Sequence, residues 1–358
     1  MQGGLSNLLF KVAAEEPAGR LEKPVLVRVF GPLERDSEQE NRIAAVLGKR
    51  GLGPLLLATF GNGRVEEFLE GHRTLAPSEF LDTPKLAQKV AQLHALDLAA
   101  SVAGKDPHLH AGHRSEASIW VQIGKWLQGA EEALSSGKFS QRPAEQLAKL
   151  GEIFQEAKSD FDKWQRVFNR PAVDVVDRVW AQIRLCHNDL HVNNTLVPLA
   201  GSREVRLIDF EYACLNHVGM DLCNSLANIP FMEYIDGLTP TYDASRFPSP
   251  QQIQPWLERY LSDRASEGDA EVALWVASLV EADATDPGWE TALRSLMRYR
   301  PVAQLQWIPW GIRLAGLRGL DGGFDFLGLA MLEFEVYKVY LAEMERTDPA
   351  FYADWNAC

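Results

Sequence analysis

The sequence predicts an α+β protein of two unequal lobes, a small antiparallel sheet that carries one helix and a larger, mainly helical part. Two observations support this prediction. In the first 70 residues, short apolar runs alternate with turn residues, a pattern typical of strands. From residue 83 onward, apolar residues recur at helical spacing over long stretches. We therefore expect a lobe of residues 1–70 and a lobe of residues 71–358.

The small lobe is predicted from its apolar runs and from the residues that separate them. Ile43, Val46 and Leu47 give one segment an apolar helical face, and glycines end that segment. The run Gly61-Asn62-Gly63 separates two further strand-like segments, as in a hairpin turn. The predicted elements are strands at residues 8–12 and 25–30, a helix at 37–49, and hairpin strands at 55–60 and 64–69.

The large lobe is predicted from helix signals. Thr83 and Pro84 suit the N-cap and first position of a helix whose apolar residues follow at helical spacing. Residues 185–208 are predicted to form loops and strands, and residues 237–250, rich in Pro, Thr and Ser, a loop. Further helices are expected at residues 115–134, 144–168, 251–261, 270–282, 302–317 and 324–344.

The composition argues against several classes of protein. The chain has 358 residues, 46% of them apolar and 24% charged, as in ordinary globular proteins. Its net charge of −13 argues against binding nucleic acid or an anionic membrane, because phosphates require a basic face. No apolar stretch approaches the roughly 20 residues that span a bilayer, and residues 1–4 do not resemble a secretory signal. Four cysteines without a Cys-x-x-Cys pair indicate reduced thiols in a cytoplasmic protein.

The segment His187-Asn188-Asp189, followed by Asn194 and later by Asp209, carries the clearest chemical signal. An isolated loop aspartate is more often a turn cap or a surface charge. The three oxygen-bearing side chains together suit transfer of a phosphoryl group from a magnesium nucleotide to an alcohol. That reaction needs a carboxylate base and oxygen ligands for Mg²⁺. We therefore predict Asp189 as the base and Asn194 and Asp209 as metal ligands.

Neighbouring polar residues have a functional and a structural interpretation. Glu211 lies two positions beyond Asp209, and it is either a further ligand of Mg²⁺, directly or through water, or an exposed loop residue. Asp221 and Asn224 are three residues apart and would share one face of a helix. We expect them to support the loop rather than to contact substrate. His187 is expected to hold the loop by hydrogen bonds.

The small lobe offers candidates for binding nucleotide phosphates. Residues 3–7 provide backbone N–H groups and a hydroxyl, although Gly-Gly before a strand is commonly only a turn. Arg28 lies between two valines of a strand and therefore points to the opposite face. There it could reach phosphates and pair with Glu40 of the following helix. Ser37 and Glu40 also fit a capping box, so the ion pair and the cap compete for one carboxylate.

Together these motifs resemble the choline/ethanolamine kinases, relatives of the aminoglycoside phosphotransferases with a bilobal protein-kinase-like fold. The similarity covers essentially the whole chain, and its most specific part is residues 208–212 with Asn216, Gly219, Asp221 and Asn224. It implies a small-molecule kinase that uses ATP and Mg²⁺ to phosphorylate a small amino alcohol, with Asp189 as base and Asn194 and Asp209 as metal ligands. The residues implied at the nucleotide are Gly4, Ser6, Asn7, Arg28 and Glu40, with Glu66, Phe68 and Leu69 in the hinge around adenine.

The acceptor pocket is where the chain departs from this resemblance. The family holds a cationic head with aromatic rings and a carboxylate, the expected solution for an ammonium group. Tyr212 and Trp310 match, but the family's glutamate four residues past Asn224 is Asn228 here. The second tryptophan of the family is Arg313, and a tyrosine of the following helix is Leu329. An arginine in this pocket would repel an ammonium group and attract a carboxylate, phosphate or sulfonate.

Three interpretations of the acceptor stay open. In the first, Arg313 points to solvent, Trp307 supplies the missing ring, and the substrate is choline or ethanolamine. In the second, Arg313 and Asn228 recognise a zwitterionic or anionic alcohol. The third is a non-catalytic, nucleotide-binding pseudokinase, which the presence of the base and both metal ligands disfavours. The sequence also leaves open whether two copies form a homodimer.

Overall fold

The computed structural model describes residues 7–13, 23–31, 37–96, 117–200, 204–231, 240–264, 269–318 and 323–358. Its N-terminal part is one antiparallel sheet with the strand order β1-β2-β4-β3 and a single helix, α1, at Ser37–Lys49. The strands are β1 at Asn7–Val12, β2 at Val25–Phe30, β3 at Leu56–Phe60 and β4 at Gly63–Glu67. The predicted small sheet with one helix is confirmed.

The hairpin of β3 and β4 differs slightly from its predicted bounds. Strand β4 begins at Gly63, which pairs with Val29 of β2. Glycine fits there because a Cβ would lie 2.3 Å from the backbone oxygen of Arg28. The strand ends at Glu67 rather than at residue 69. Residues 68 and 69 therefore leave the sheet, which places them at the cleft described below.

The rest of the described chain is mainly helical, which confirms the predicted α+β class. Strands β5 at His72–Thr74, β7 at Thr195–Pro198 and β8 at Arg206–Leu207 form a second sheet, and β6 at Ile183–Cys186 pairs with β9 at Cys214–His217. The helices are α2 Pro84–His94, α3 Ile119–Ser135, α4 Ala144–Phe168, α5 Val175–Trp180, α6 Val218–Ala227, α7 Pro250–Ser262, α8 Ala270–Glu281, α9 Pro287–Met297, α10 Arg300–Leu305, α11 Trp307–Arg318, α12 Phe326–Thr347 and α13 Pro349–Asn356.

The predicted helices of the large lobe are confirmed in position, with one clear exception at residues 302–317. Two helices, α10 and α11, meet there at Gln306. Pro309 accounts for the break, because it has no N–H to donate to the carbonyl of Leu305 one turn earlier. Helix α3 begins at Ile119 instead of residue 115, and residues 115 and 116 lie outside the described part.

Helices α5, α6, α9 and α13 have no counterpart among the predicted elements. The start of α9 carries a recognisable signal, because Asp286 precedes Pro287 and its carboxylate accepts a hydrogen bond from the backbone of Gly288 at 2.7 Å. The predicted loop of residues 237–250 begins outside the described residues and includes a short 3₁₀ turn at Ala244–Arg246.

The core of the large lobe is rich in aromatic side chains. Trp164, Trp180, Trp256 and Tyr337 are among its largest fully buried residues. The backbone N–H of Leu207 in β8 donates to the backbone oxygen of Leu52 at 2.9 Å, which joins the large lobe to the N-terminal part. Among the helices that the structure describes, none is both long and apolar enough to cross a membrane.

Candidate active site

A cleft of about 190 Å³ lies between the N-terminal sheet and the large lobe. On the sheet side it is lined by Arg28 of β2 and by Phe68 and Leu69, which follow β4. On the large-lobe side it is lined by Asp209 and Phe210. The cleft is therefore largely apolar and has charged groups where the two sides meet.

The loop of residues 187–194, which follows β6, is held by Asp221 of α6. The carboxylate of Asp221 accepts hydrogen bonds from the backbone N–H groups of His187 and Asn188, at 3.2 and 2.6 Å. It also accepts one from Nε2 of His94 at 2.9 Å, and the residues involved are buried. Burial alone would favour the neutral acid, but the bond from His94 holds the pKa of Asp221 below its ordinary value. These bonds confirm the predicted support of the loop by Asp221.

Asn188 fixes the direction of the loop just before Asp189. Its φ is 63°, a left-handed conformation that residues other than glycine rarely adopt. Its side chain donates to the backbone oxygen of Tyr212 at 2.9 Å and accepts from Asn216 at 2.7 Å. Its backbone oxygen accepts a hydrogen bond from Asn224 at 3.1 Å, which confirms the predicted supporting role of Asn224. A conformation that costs about 1–3 kcal/mol is therefore stabilised by buried hydrogen bonds on three sides.

Asp189 lies beside Asn194, as the predicted pair of base and metal ligand requires. Nδ2 of Asn194 donates to the backbone oxygen of Asp189 at 2.8 Å and to its Oδ2 at 3.2 Å. Nε2 of His191 lies 3.7 Å from the same carboxylate oxygen, and the side chain of Asp189 is 21% exposed. Because Nδ2 of Asn194 is committed to these bonds, its Oδ1 is the atom left for another partner.

Asp209 follows β8 and is the second residue of the site with a φ of 63°. The backbone N–H of Ile208 donates to the backbone oxygen of Asn194 at 3.0 Å, so the two predicted metal ligands lie on adjacent segments. Nε2 of His187 bonds the backbone oxygen of Ile208 at 2.9 Å, which confirms the predicted structural role of His187. Burial favours the neutral form of Asp209, but the charge of Arg28, whose Nη1 donates to Oδ1 at 2.7 Å, holds the pKa of Asp209 below its ordinary value.

Arg28, Glu40, Arg64 and Glu66 form a buried charged cluster on the inner face of the N-terminal sheet, each at most 6% exposed. Glu66 accepts from Nε of Arg28 at 3.5 Å and from Nε of Arg64 at 2.6 Å. Arg64 also donates to Glu40 at 2.6 Å. The predicted pair of Arg28 with Glu40 is therefore wrong, because Arg64, the cross-strand neighbour of Arg28 on β4, takes that carboxylate. Burial disfavours the charged form of Arg28, but the carboxylates of Asp209 and Glu66 raise its pKa.

Asn7 connects the N-terminal sheet to the segment after β8. Its Nδ2 donates to Oε2 of Glu211 at 3.0 Å, and its Oδ1 accepts from the backbone N–H of Gly31 at 3.4 Å. Glu211 thus lies at the junction of the two lobes. Gly4 and Ser6, the other residues predicted to contact phosphates, lie outside the described residues.

Next to the 187–194 loop lies an aromatic cluster formed by Trp126, Tyr212, Trp307 and Trp310. Nε1 of Trp310 donates to the hydroxyl of Tyr212 at 2.8 Å. Trp126 and Trp307 stack with ring centroids 6.0 Å apart, and Tyr212 meets the other three rings at steep angles. Burial raises the pKa of Tyr212, and nearby carboxylates, among them Asp189, add to the shift. Trp126 was not predicted, because nothing in its local sequence indicates that α3 meets Tyr212.

The three departures in the predicted acceptor pocket have different surroundings. Asn228 ends α6, and its Nδ2 donates to the backbone oxygen of Asn224 at 2.9 Å. Arg313 packs along α3, since a Cβ at Gly129 would lie 2.7 Å from its Cδ. Leu329 is buried on α12 and 9% exposed. The amide of Asn228 is thus bonded to its own helix, and the side chain of Arg313 contacts a neighbouring one.

The fold and the site combine a small sheet that carries a buried arginine with a loop that carries an aspartate and an asparagine. Two solved structures share the fold. A choline kinase from Cryptosporidium parvum matches with a TM-score of 0.71 and 19% identity, over 100% of this chain and 91% of that one. An ethanolamine kinase from Plasmodium vivax matches with a TM-score of 0.63 and 19% identity, over 93% of this chain and 80% of that one.

A family model described as choline/ethanolamine kinase matches residues 1–338. The protein therefore belongs to the choline/ethanolamine kinase family and is a small-molecule kinase, as its motifs predicted. A probable choline kinase 2 of Arabidopsis thaliana is 25% identical over 344 residues, which cover 94% of this chain and 83% of the relative. A probable ethanolamine kinase of the same plant is 29% identical over 348 residues, covering 94% and 78%.

Proposed function

We propose that the protein transfers the terminal phosphoryl group of ATP to the hydroxyl of choline or ethanolamine, with Mg²⁺ as the metal and Asp189 as the base. The observation that carries the proposal is that Asn194 donates to Asp189 and accepts from Ile208, next to Asp209, which pairs with Arg28 at the cleft. The relatives support the substrate class, since proteins named choline kinase and ethanolamine kinase match most of the chain. We also propose residues 1–70 as the nucleotide-binding lobe and residues 71–358 as the catalytic and acceptor-binding lobe.

Asp189 is suited to accept the hydroxyl proton when the alcohol attacks. Its side chain is 21% exposed, so substrate can reach it, and Asn194 orients its carboxylate. A positioned base of this kind contributes roughly 10²- to 10⁴-fold to a rate. Direct transfer is favoured, because burial raises the pKa of the Cys186 and Cys214 thiols behind the loop and makes them poor nucleophiles.

The donor set near Asp209 fits Mg²⁺, which prefers carboxylate and amide oxygens. Asn194 commits its nitrogen to Asp189 and keeps its Oδ1 available, and the lowered pKa of Asp209 keeps that carboxylate ionised. Glu211, held by Asn7, adds a third oxygen donor. When bound, Mg²⁺ supplies positive charge against the nucleotide phosphates. We propose Asn194 and Asp209 as its ligands, with Glu211 as a further ligand, directly or through water.

The nucleotide is proposed to occupy the cleft between the lobes. Phe68 and Leu69 follow the end of β4 and line this cleft, where they suit the adenine ring. Arg28 lines the cleft where it pairs with Asp209. There it would neutralise phosphate charge together with residues 4–7. Glu40 and Glu66, the buried glutamates of the charged cluster, accept hydrogen bonds from its arginines. We therefore propose that they affect ATP binding by positioning those arginines.

The acceptor is proposed to bind with its cationic group near the aromatic cluster, because electron-rich rings attract a cation. Tyr212 belongs to this cluster, and the charge of Asp189, the proposed base, contributes to its raised pKa. A zwitterionic or anionic alcohol would depend on Arg313 and Asn228. That alternative finds less support, because Arg313 packs along α3 and the amide of Asn228 donates to its own helix.

Replacement of Asp189 with Asn tests the proposed base. We expect kcat to fall by about 10²- to 10⁴-fold, because the amide cannot accept the proton, while nucleotide affinity stays nearly unchanged. Release of ADP measures turnover, and calorimetric titration measures nucleotide binding. Asp162→Asn, on the exposed side of α4, is the matched control and should retain full activity. Wild-type turnover in Asp189→Asn would refute the assignment of the base. A wild-type protein that binds ATP but phosphorylates none of a broad set of alcohols would instead be a pseudokinase.

A further inference from the structure

Glu333 of α12 is a buried carboxylate without a neutralising partner in the described part of the chain. The residue is 5% exposed, and its Oε2 has no hydrogen-bond partner there. Burial raises the pKa of its carboxyl well above the ordinary value. Burying a carboxylate without a partner is costly, and such groups in native proteins usually have a compensating charge or a functional role. The mechanism proposed above does not use this residue.

The first turns of α12, which precede Glu333, pack against the aromatic cluster. Phe326 contacts the ring of Trp310, with centroids 5.7 Å apart. A Cβ at Gly311 would lie 3.3 Å from Cβ of Ala330, so α12 passes closely over α11 just after Trp310. Glu333 lies three residues beyond Ala330 and therefore shares its helix face. The carboxylate thus lies one turn beyond the contact between α12 and the aromatic cluster.

A second group of aromatic residues lies farther along α12, beyond Glu333. Tyr340 lies seven residues, about two helical turns, beyond Glu333 and therefore on the same side of α12. The hydroxyl of Tyr340 lies 3.3 Å from that of Tyr242, whose ring packs against Phe231 at 5.0 Å. Phe231 follows Asn228 by three residues. Glu333 therefore lies on a side of α12 that meets the aromatic cluster toward its start and, through Tyr340, the residues after α6 farther along.

We propose that Glu333 binds the ammonium group of the acceptor and so supplies from α12 the negative charge that Asn228 on α6 does not provide. The inference rests on the proposed amino-alcohol kinase function and specifies its cation site. Burial favours the protonated acid in the free protein; an ammonium group would supply the missing partner and favour the charged carboxylate, whose proton passes to solvent, and nearby rings would add cation–π attraction. A protonated amine with N–H groups can also donate hydrogen bonds to Glu333. The site therefore suits ethanolamine at least as well as choline.

Replacement of Glu333 with Gln tests this proposal, because it removes the charge and nearly preserves the shape. Hydrogen bonds to charged groups imply a rise in KM for ethanolamine and choline of about 10- to 100-fold. The KM for ATP should stay within about twofold, since Glu333 lies away from the cleft. The matched control is Glu335→Gln, which changes a glutamate of the same helix whose side chain is 65% exposed. Initial rates of ADP release, with either substrate varied, provide all these constants.

A second variant, Glu333→Met, fills the same space with an apolar side chain. It should show the same rise in KM and a thermal midpoint no lower than that of the wild type, because it buries no charge. Unchanged KM values for both amines in either folded variant would overturn the role of Glu333 while leaving the proposed function intact. Failure of both variants to fold would also overturn it, since it would make Glu333 a structural residue. If the wild type phosphorylates neither amine, the proposed function itself fails.

Discussion

Two neighbouring regions of the large lobe are stabilised by different interactions. The 187–194 loop is fixed by hydrogen bonds to buried polar groups, above all the carboxylate of Asp221, which accepts three. The aromatic cluster is held mainly by ring contacts, with a single hydrogen bond between Trp310 and Tyr212 inside it. Asn224 belongs to both regions, because it donates to Asn188 and accepts from Trp307 at 2.8 Å.

This difference predicts how strongly each region responds to substitution. A buried donor or acceptor that loses its partner is costly, so each residue of the 187–194 loop constrains its neighbours. Ring contacts depend on volume and shape and tolerate exchange more easily. Asn228, Arg313 and Leu329, three positions at which the sequence is predicted to depart from the family pattern, belong to the predicted acceptor pocket, whereas His191, a fourth such position, lies in the 187–194 loop. The structure therefore separates a loop that is fixed by buried hydrogen bonds from a cluster that is fixed mainly by ring contacts.

The largest expected loss of stability comes from Asp221→Ala, which removes the carboxylate that holds the 187–194 loop. Two backbone N–H groups and His94 would lose their buried partner. We expect the free energy of unfolding to fall by about 3–5 kcal/mol, as for other broken buried charge networks. Urea unfolding followed by circular dichroism measures this change.

Asp162→Ala, an exposed substitution on α4, provides the comparison and should change stability by no more than about 0.5 kcal/mol. A loss in Asp221→Ala as small as that of the control would mean that the hydrogen bonds of Asp221 do not determine the loop. The proposed contrast between the two regions would then lack its main support.

A smaller loss of stability is expected from Trp310→Phe, which keeps an aromatic ring but removes the N–H that donates to Tyr212. The loss of one hydrogen bond should cost about 0.5–1.5 kcal/mol of stability, and the KM for the amine should rise several-fold while that for ATP stays constant. Trp256→Phe is a matched control, because Nε1 of Trp256 is buried without a hydrogen-bond partner among the described residues. An equal change in both KM values would show that Trp310 does not act on the acceptor alone.

The fold could be predicted where a segment has one apolar face. Helices α1 and α4 have the bounds that their apolar spacing predicts. Helix α6 was missed because all ten of its residues are buried, so no polar face marks a helical period. The break at Gln306 could have been predicted from Pro309, and the starts of α9 and α13 from Asp-Pro pairs at 286 and 348.

The site could be predicted where its residues follow one another in sequence. Asp189, Asn194 and Asp209 come from two short segments, whereas Arg64 required the register of β2 against β4, which places it opposite Arg28. Glu333 could not be recognised because a glutamate in a helix is normally exposed, and only the packing of α12 shows its burial. Sequence thus indicated the groups that are proposed to react, and three-dimensional packing was needed to find the groups that surround them.

The most direct test of the account compares three acceptors in one assay: ethanolamine, choline and serine, which adds a carboxylate. With ATP and Mg²⁺ fixed, we expect ADP release with ethanolamine and choline, and for serine a kcat/KM at least about tenfold lower than that of the better amine, because a buried carboxylate would repel its negative charge. A kcat/KM for serine above that of both amines, or no turnover of either amine, would contradict the proposed acceptor region.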